Sequence, residues 1–220
     1  DYAAELRIYR RLAADGDLRA QDNIGVLYEH GLGVTKSYAE AVKWYRMAAE
    51  QGEPNAQNNL GVMYEAGHGV PADHAEAVRW YQRAVAQDDI NAQYNLGNMY
   101  ESGRGIAQNY AEAVAWFRKA ADRGHPIAQA NLGVMYELGH GIAQNYAEAV
   151  AWFRKAADKG HPMAQANLGV MYELGHGIAQ DLVQAHMWFA LSAAGFPASE
   201  AKNRGIATRN RDEIAARMTP

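Results

Sequence analysis

Histidines in a repeating loop, a row of glutamates and paired glycines are the residues in this chain that could do chemistry. His68, His140 and His176 occupy one position of a unit that recurs every 36 residues, where other copies carry Leu32 and Arg104. Imidazoles can ligate zinc, but the ligands of one ion sit ~2 Å from it. Residues one repeat apart on packed helices are expected roughly 10 Å from each other. These histidines do not converge, and no metal or cofactor site is expected. His125 and His161 stand beside Pro126 and Pro162 at helix starts and read as caps or solvated side chains. His74 replaces a tyrosine and reads as a packing variant; His186 replaces a valine and reads as a core histidine. Glu29, Glu65, Glu101, Glu137 and Glu173 form a second row. Paired carboxylates can exchange protons, yet these too are spaced by whole repeats, which suits a solvated or interhelical polar row. The Gly-x-Gly loops lack the third glycine of a dinucleotide fingerprint, the Gly-Lys-Ser/Thr of a phosphate loop and any preceding strand, so they are turns. Trp44, Trp80, Trp116, Trp152 and Trp188 alternate with basic residues, as a base-stacking row would. One tryptophan per unit on a second helix points instead to packing. An active site needs a non-repeating constellation of reactive groups. None is legible, and the chain is expected not to be an enzyme.

The elements that carry these rows are set by the repeat itself. Residues 105–144 shifted by 36 give residues 141–180, apart from Arg123 against Lys159 and Ile127 against Met163. Residues 1–19 read as a partial repeat holding a lone second helix. Five full units fill residues 20–197, and residues 198–220 read as a C-terminal cap. Each unit reads as helix–loop–helix. Ala56, Leu60, Met63 and Tyr64 share one face of a first helix, being spaced i, i+4, i+7 and i+8. Gly61 interrupts that helix at a cost of about 1 kcal/mol against alanine, which implies the close approach of a neighbour. Gly67-His68-Gly69 ends the helix, since glycine tolerates the left-handed conformation required there. Ser37-x-x-Glu40, Asp73-x-x-Glu76, Asn109-x-x-Glu112, Asn145-x-x-Glu148 and Asp181-x-x-Gln184 are capping-box variants that open the second helices. Tyr110, Ala113, Val114, Phe117, Ala120 and Ala121 form a buried stripe. One helix pair cannot bury such a stripe alone, but stacked pairs can. The expected fold is all-α, a right-handed α-solenoid of about a dozen helices with one concave face. In the fifth unit the second helix is expected to end at Gly195, one residue shorter than its counterparts. A final helix is expected over residues 198–210, with the more polar outer face that a terminal cap requires.

Composition narrows the classes further. The net charge is -4, without the basic face of a nucleic-acid binder. No apolar run approaches the ~20 residues that span a bilayer. The chain has no cysteine, which removes disulfides and thiolate chemistry and fits reducing or oxidising compartments alike. It begins at Asp1 without an apolar leader, which suits a mature secreted form or a trimmed one and leaves both open.

The motif Ala128-Gln-x-Asn-Leu-Gly-x-Met-Tyr-Glu-x-Gly-x-Gly, followed by Tyr146-Ala-Glu-Ala-Val-x-Trp-Phe-Arg-Lys-Ala-Ala, resembles the Sel-one-like repeat family, a branch of the tetratricopeptide-like solenoids. The segment from Ala201-x-Asn203-Arg204 to Met218-Thr219-Pro220 looks like that family's C-terminal cap, and in relatives a further helix often begins at such a Met-Thr-Pro. The resemblance implies a non-enzymatic scaffold that binds a protein or an extended peptide in its concave groove. It also implies, more narrowly, a bacterial periplasmic inhibitor or immunity protein for a secreted effector. An adaptor for envelope or signalling assembly, and an accessory protein with weak hydrolase activity, are the alternatives. A periplasmic or secreted location leads, with a cytoplasmic one left open.

In tetratricopeptide-like arrays the first helices line the groove. The resemblance therefore puts Asn59, Asn95, Asn131 and Asn167 there, each a poor helix former kept in mid-helix. A carboxamide both donates and accepts, so it suits a peptide backbone; the alternative is a hydrogen bond between repeats. Specificity is expected where the repeat departs from itself, at Asn58, Tyr94 and Asn98 in a polar half. Val134, Leu138, Val170 and Leu174 make an apolar half.

Overall fold

The computed structural model describes residues 1–218. They form twelve α-helices and one short 3-10 turn, with no strand among the described residues. Two compact units divide the chain at Asn109 and Tyr110. The first holds α1 (Tyr2–Ala14), α2 (Leu18–His30), α3 (Tyr38–Glu50), α4 (Pro54–Ala66), α5 (His74–Val85) and α6 (Ile90–Ser102). The second holds α7 (Tyr110–Asp122), α8 (Pro126–Leu138), α9 (Tyr146–Ala157), α10 (Pro162–Leu174), α11 (Leu182–Gly195), the turn Ala198–Glu200 and α12 (Ala201–Met218). The chain is an all-α solenoid of helix pairs, as its pattern requires.

Local chemistry starts and stops these helices. Ser37, Asp73, Asn145 and Asp181 each accept a hydrogen bond from the backbone N–H three residues on, at 3.0–3.3 Å. That satisfies one of the orphan donors of a helix start. Pro54, Pro126 and Pro162 sit in the first turns of α4, α8 and α10, where their missing N–H costs nothing. First helices end on left-handed glycines such as Gly67, at φ +68°.

The two glycines of greatest consequence lie elsewhere in the unit. Gly133 is in mid-helix, and a Cβ added there would stand 2.5 Å from Cε1 of Phe153. The fully buried Phe153 ring of α9 therefore lies directly on the α8 backbone. Tyr81 makes the same approach to Gly61. Gly141, at φ +69°, brings its loop against the first turn of α7, 2.3 Å from the carbonyl of Tyr110 by the same measure. One glycine thus closes the pair internally, and the other docks the pair's loop on the preceding second helix.

Alanine and a few large side chains fill the core. In the second unit Ala149, Val150, Phe153, Ala156, Ala157, Ala164, Leu168 and Met171 form one cluster. Polar rows run beside it. Gln57, Gln129 and Gln165, all buried, donate to the carbonyls of Ala49, Ala121 and Ala157, eight residues earlier. Each bond ties the start of a first helix to the end of the helix before it.

The C-terminal end differs from the sequence expectation. α11 has 14 residues and keeps Gly195 within the helix, so it is longer than α9, not shorter. The stop is Phe196, which is extended at φ -71°, ψ 130°. The final helix does not end at residue 210 but runs from Ala201 to Met218. Gly205 meets no neighbour there, and Ala207 and Ile214 anchor the helix by burial. Thr219 and Pro220, and with them the start of a further helix expected at Met218-Thr219-Pro220, lie outside the described residues.

Candidate protein-binding face

The rows of reactive residues resolve into structural pairs. His68 stacks on Tyr38, and His140 and His176 lie against Tyr110 and Tyr146 with their rings tilted by 32°; the ring centroids are 4.2, 4.9 and 4.6 Å apart. Each histidine therefore packs its loop onto the helix start that the Gly-x-Gly approach brings near. In the repeat between the first two of these pairs His74 takes the tyrosine position and Arg104 the histidine position; Arg104 bonds to Glu65 at 2.8 Å instead. Glu29 and Glu65 accept the phenol protons of Tyr45 and Tyr81 at 2.6 and 2.8 Å. Burial and these carboxylates push both phenols well above the ordinary tyrosine range. The glutamate row is interhelical where these tyrosines stand. Arg83, Lys119 and Lys155 lie over Trp80, Trp116 and Trp152 at 4.3, 3.9 and 3.6 Å from the ring centres. The basic residues of that row cover the indole faces. Among the described residues no three His, Asp or Glu side chains gather as metal ligands would.

The first-helix asparagines of the first unit are held by the repeat before them. In the first unit Asn59 donates to Oδ1 of Asp22, and Asn95 donates to Oδ1 of Asn58, each at 2.9 Å. Each bond joins neighbouring repeats. Asn58 is buried at 6% exposure, and its carbonyl holds Asn95 in place. Tyr94 and Asn98 are half-buried beside it. In the second unit the acceptor position equivalent to Asp22 and Asn58 is Ala130, which has no group to offer Asn167. Asn131 and Asn167 are half-buried, Val134 packs on the α8–α10 core and Val170 on the core beside α11. Leu138 and Leu174 close α8 and α10 with 53% exposure each.

One carboxyl in the first unit and two imidazoles in the second are expected to respond oppositely to acid. Burial lifts the Asp22 carboxyl from 3.8 to about 6, against the opposing hydrogen bond from Asn59. A raised folded value means that Asp22 adds stability that is full below 3.8 and lost as pH rises through about 6. His125 and His161 cap α8 and α10 by accepting from the N–H groups of Ala128 and Ala164 at 3.1 and 3.2 Å. Only a neutral imidazole can accept. Burial holds both below the ordinary histidine value, helped at His125 by the nearby His161 and Lys159 and opposed at His161 by Glu200. Their caps are complete above about 6.5 and are lost as pH falls through the lowered folded values. The equivalent caps of α2, α4 and α6 are Asp17, Glu53 and Asp89. Acidification from neutrality to pH ~5 is therefore expected to cost α8 and α10 about 0.5–1 kcal/mol each in amide protection, within the range for a lost cap. α4 and α6 should hold. His161→Asp should abolish the response at α10. Equal loosening at all five helix starts would contradict this assignment.

Sequence reasoning found the helices and the asparagine row but not these partners. The glutamine row carries a legible signal, a glutamine after the first buried alanine in every unit. The tyrosine–histidine contacts could have been found by pairing residues 30 apart.

Helix pairs of 36 residues, four of them closed by an aromatic ring on the helical glycines Gly25, Gly61, Gly133 and Gly169, define a solenoid whose repeated side chains serve packing. The chain belongs to the Sel1 repeat family, whose model matches residues 18–53, 54–89, 90–125, 126–161 and 162–195. Such repeats are scaffolds for protein interaction and are generally without catalysis. Among solved structures the chain is similar to a protective antigen of uropathogenic Escherichia coli with an SLR fold. The identity is 34% and the TM-score 0.82, over 97% of this chain and 49% of that one. It therefore spans about half the length of that antigen. It is also similar to a Sel1 repeat protein from Oxalobacter formigenes, at 39% identity and TM-score 0.76, over 81% of this chain and 71% of that one. An immunity protein from Pseudomonas aeruginosa shares the fold, at 22% identity and TM-score 0.55, over 96% of this chain and 74% of that one. No curated protein matches the sequence. No helix among the described residues is long and apolar enough to cross a membrane.

Proposed function

We propose that this chain is a non-enzymatic scaffold that holds a protein, or an extended segment of one, along its row of first helices. The observation that carries the reading is the pair Leu138 and Leu174, more than half exposed at one register of that row. Exposed apolar residues that recur on one face suit an interaction surface. The same register in the first unit reads His30, Ala66 and Ser102, so the apolar pair is a departure from the repeat and not a demand of it. The contact set is Tyr94, Asn95 and Asn98 in the polar half, with Asn58 and Asn59 fixing the asparagine row. Asn131, Val134, Leu138, Asn167, Val170 and Leu174 form the apolar half. The narrower form of the proposal is a periplasmic inhibitor or immunity protein for a secreted effector. Its support is the fold shared with the Pseudomonas aeruginosa immunity protein, which is a likeness of fold alone.

The experiment is crosslinked affinity capture from the native organism, then calorimetry with the captured partner. Tyr94→Ala with Asn98→Ala is expected to weaken binding by about 2 kcal/mol or more, as loss of a tyrosine hot spot does. The control must avoid second-helix residues that do structural work. Arg118 donates to the Tyr136 hydroxyl at 2.5 Å and is unsuitable. Arg79, exposed and paired with Glu76 on its own helix, is suitable. If the double variant binds like wild type while Arg79→Ala fails, the partner sits on the other face.

A further inference from the structure

One register of the chain breaks at its sixth member. Gly16, Gly52, Asp88, Gly124 and Gly160 all turn the chain with positive φ, from +60° to +100°. The residue 36 further on is Phe196. An L side chain of that bulk is strained in the left-handed region, and Phe196 is extended instead. Its ring buries against Ala193 and Ala207. The chain then passes through Pro197 and the turn Ala198–Glu200 before α12 begins. The detour borders a cleft of about 400 Å³, lined among others by Ile127, Asn131, His161, Met163, Phe196 and Glu200. That volume lies within the ~300–1,000 Å³ of ligand pockets.

The lining is apolar with one charge. Ile127 and Met163 are 40% and 42% exposed, so the apolar wall faces solvent. Glu200 is the charged side chain in it; it is exposed, and one of its oxygens accepts from Asn203 at 2.9 Å. Lys159 is turned to the carbonyl of Gly124 at 2.7 Å. His161 has its Nδ1 committed to the α10 cap, so its neutral form faces the cleft.

We propose that this cleft receives an arginine or lysine side chain of an extended peptide. The aliphatic stem lies on Ile127, Met163 and Phe196, and the cation reaches Glu200. Long basic side chains bury their methylenes on apolar surface and keep the charged end at a polar rim. A neutral aliphatic side chain would fill the wall but gain nothing from the Glu200 charge, and an acidic one would be repelled by it. The inference rests on the peptide-binding reading above and gives one subsite its chemistry.

The test is an amide NMR titration of the full chain with capped tripeptides, Gly-X-Gly with X as arginine, lysine, norleucine or glutamate. Arginine and lysine are expected to give saturable shifts at Asn131, Met163 and residues 196–203. Glu200→Gln should weaken those titrations about tenfold, the scale of a charged hydrogen bond. Norleucine should bind more weakly than arginine and be indifferent to Glu200→Gln, while Met163→Lys should weaken all of them. Three results overturn the proposal: norleucine matching arginine on the wild type, arginine unchanged by Glu200→Gln, or no shifts at these residues with millimolar peptide. Because no natural partner is needed, failure here leaves the calorimetric test of the first-helix face standing. Failure of that test likewise leaves the tripeptide result to be read alone.

Discussion

Gly141→Ala is expected to remove about 3 kcal/mol or more from the second unit, because two independent costs fall on one methyl group. At φ +69° an L residue is strained, by roughly 1–2 kcal/mol. The methyl would also stand 2.3 Å from the carbonyl carbon and oxygen of Tyr110 and 2.6 Å from the nitrogen of Ala111. Those are backbone atoms and cannot turn aside as a side chain can, so overpacking of about 1–3 kcal/mol follows. Gly139→Ala separates the two effects. Its φ is +70°, but its nearest neighbour would be Cβ of Gln144 at 3.2 Å. It should show the conformational cost with little of the clash. Gly205→Ala is the opposite control: it lies within α12 with nothing near and should gain up to ~1 kcal/mol in helix propensity. Urea denaturation of the three variants checks the order. Gly141→Ala no worse than Gly139→Ala would remove the loop-docking role given to that glycine.

Phe153→Ala is expected to cost about 3–5 kcal/mol, the usual penalty for deleting a buried aromatic ring. Phe153 is fully buried, and its edge occupies the space over Gly133. Gly133→Leu alone should also destabilise by about 1–3 kcal/mol, since the new side chain meets the ring. The informative variant carries both changes. The leucine then fills part of the space the phenyl ring vacates, and the pair should be less damaging than the two losses added, by ~1 kcal/mol or more. Strict additivity in chemical denaturation would mean that ring and glycine do not share that space.

The helices were legible because each unit repeats its own caps and stripe. Ser37, Asp73 and Asn145 announce helix starts, Gly67 announces an end, and the run from Ala113 to Ala121 has one apolar face. Gly61 was legible as a site of close approach, though not which ring approaches. What stayed hidden lies between elements. The phenol of Tyr45 and the carboxylate of Glu29 are 16 residues apart, and only the crossing of α2 and α3 makes them partners. Asn95 reads as a candidate ligand contact, but its own partner is Asn58, 37 residues earlier. Gly195 reads as an early stop for the fifth second helix, but the position that turns the chain in the other copies is Phe196, which is extended, and α11 is longer than its counterparts. The candidate face was legible as a set of departures from the repeat; exposure then separates Leu138 and Leu174, open to solvent, from Asn58, which is buried.

The central claim is that a protein partner is held on the first-helix row while the second helices carry the packing. Hydrogen-exchange mass spectrometry of the chain with and without its captured partner measures this directly. The account predicts added protection in residues 94–102, 134–138 and 170–174, with α3, α5 and α9 unchanged. Added protection confined to α3, α5 and α9, with the first helices exchanging as in the unbound chain, would contradict it.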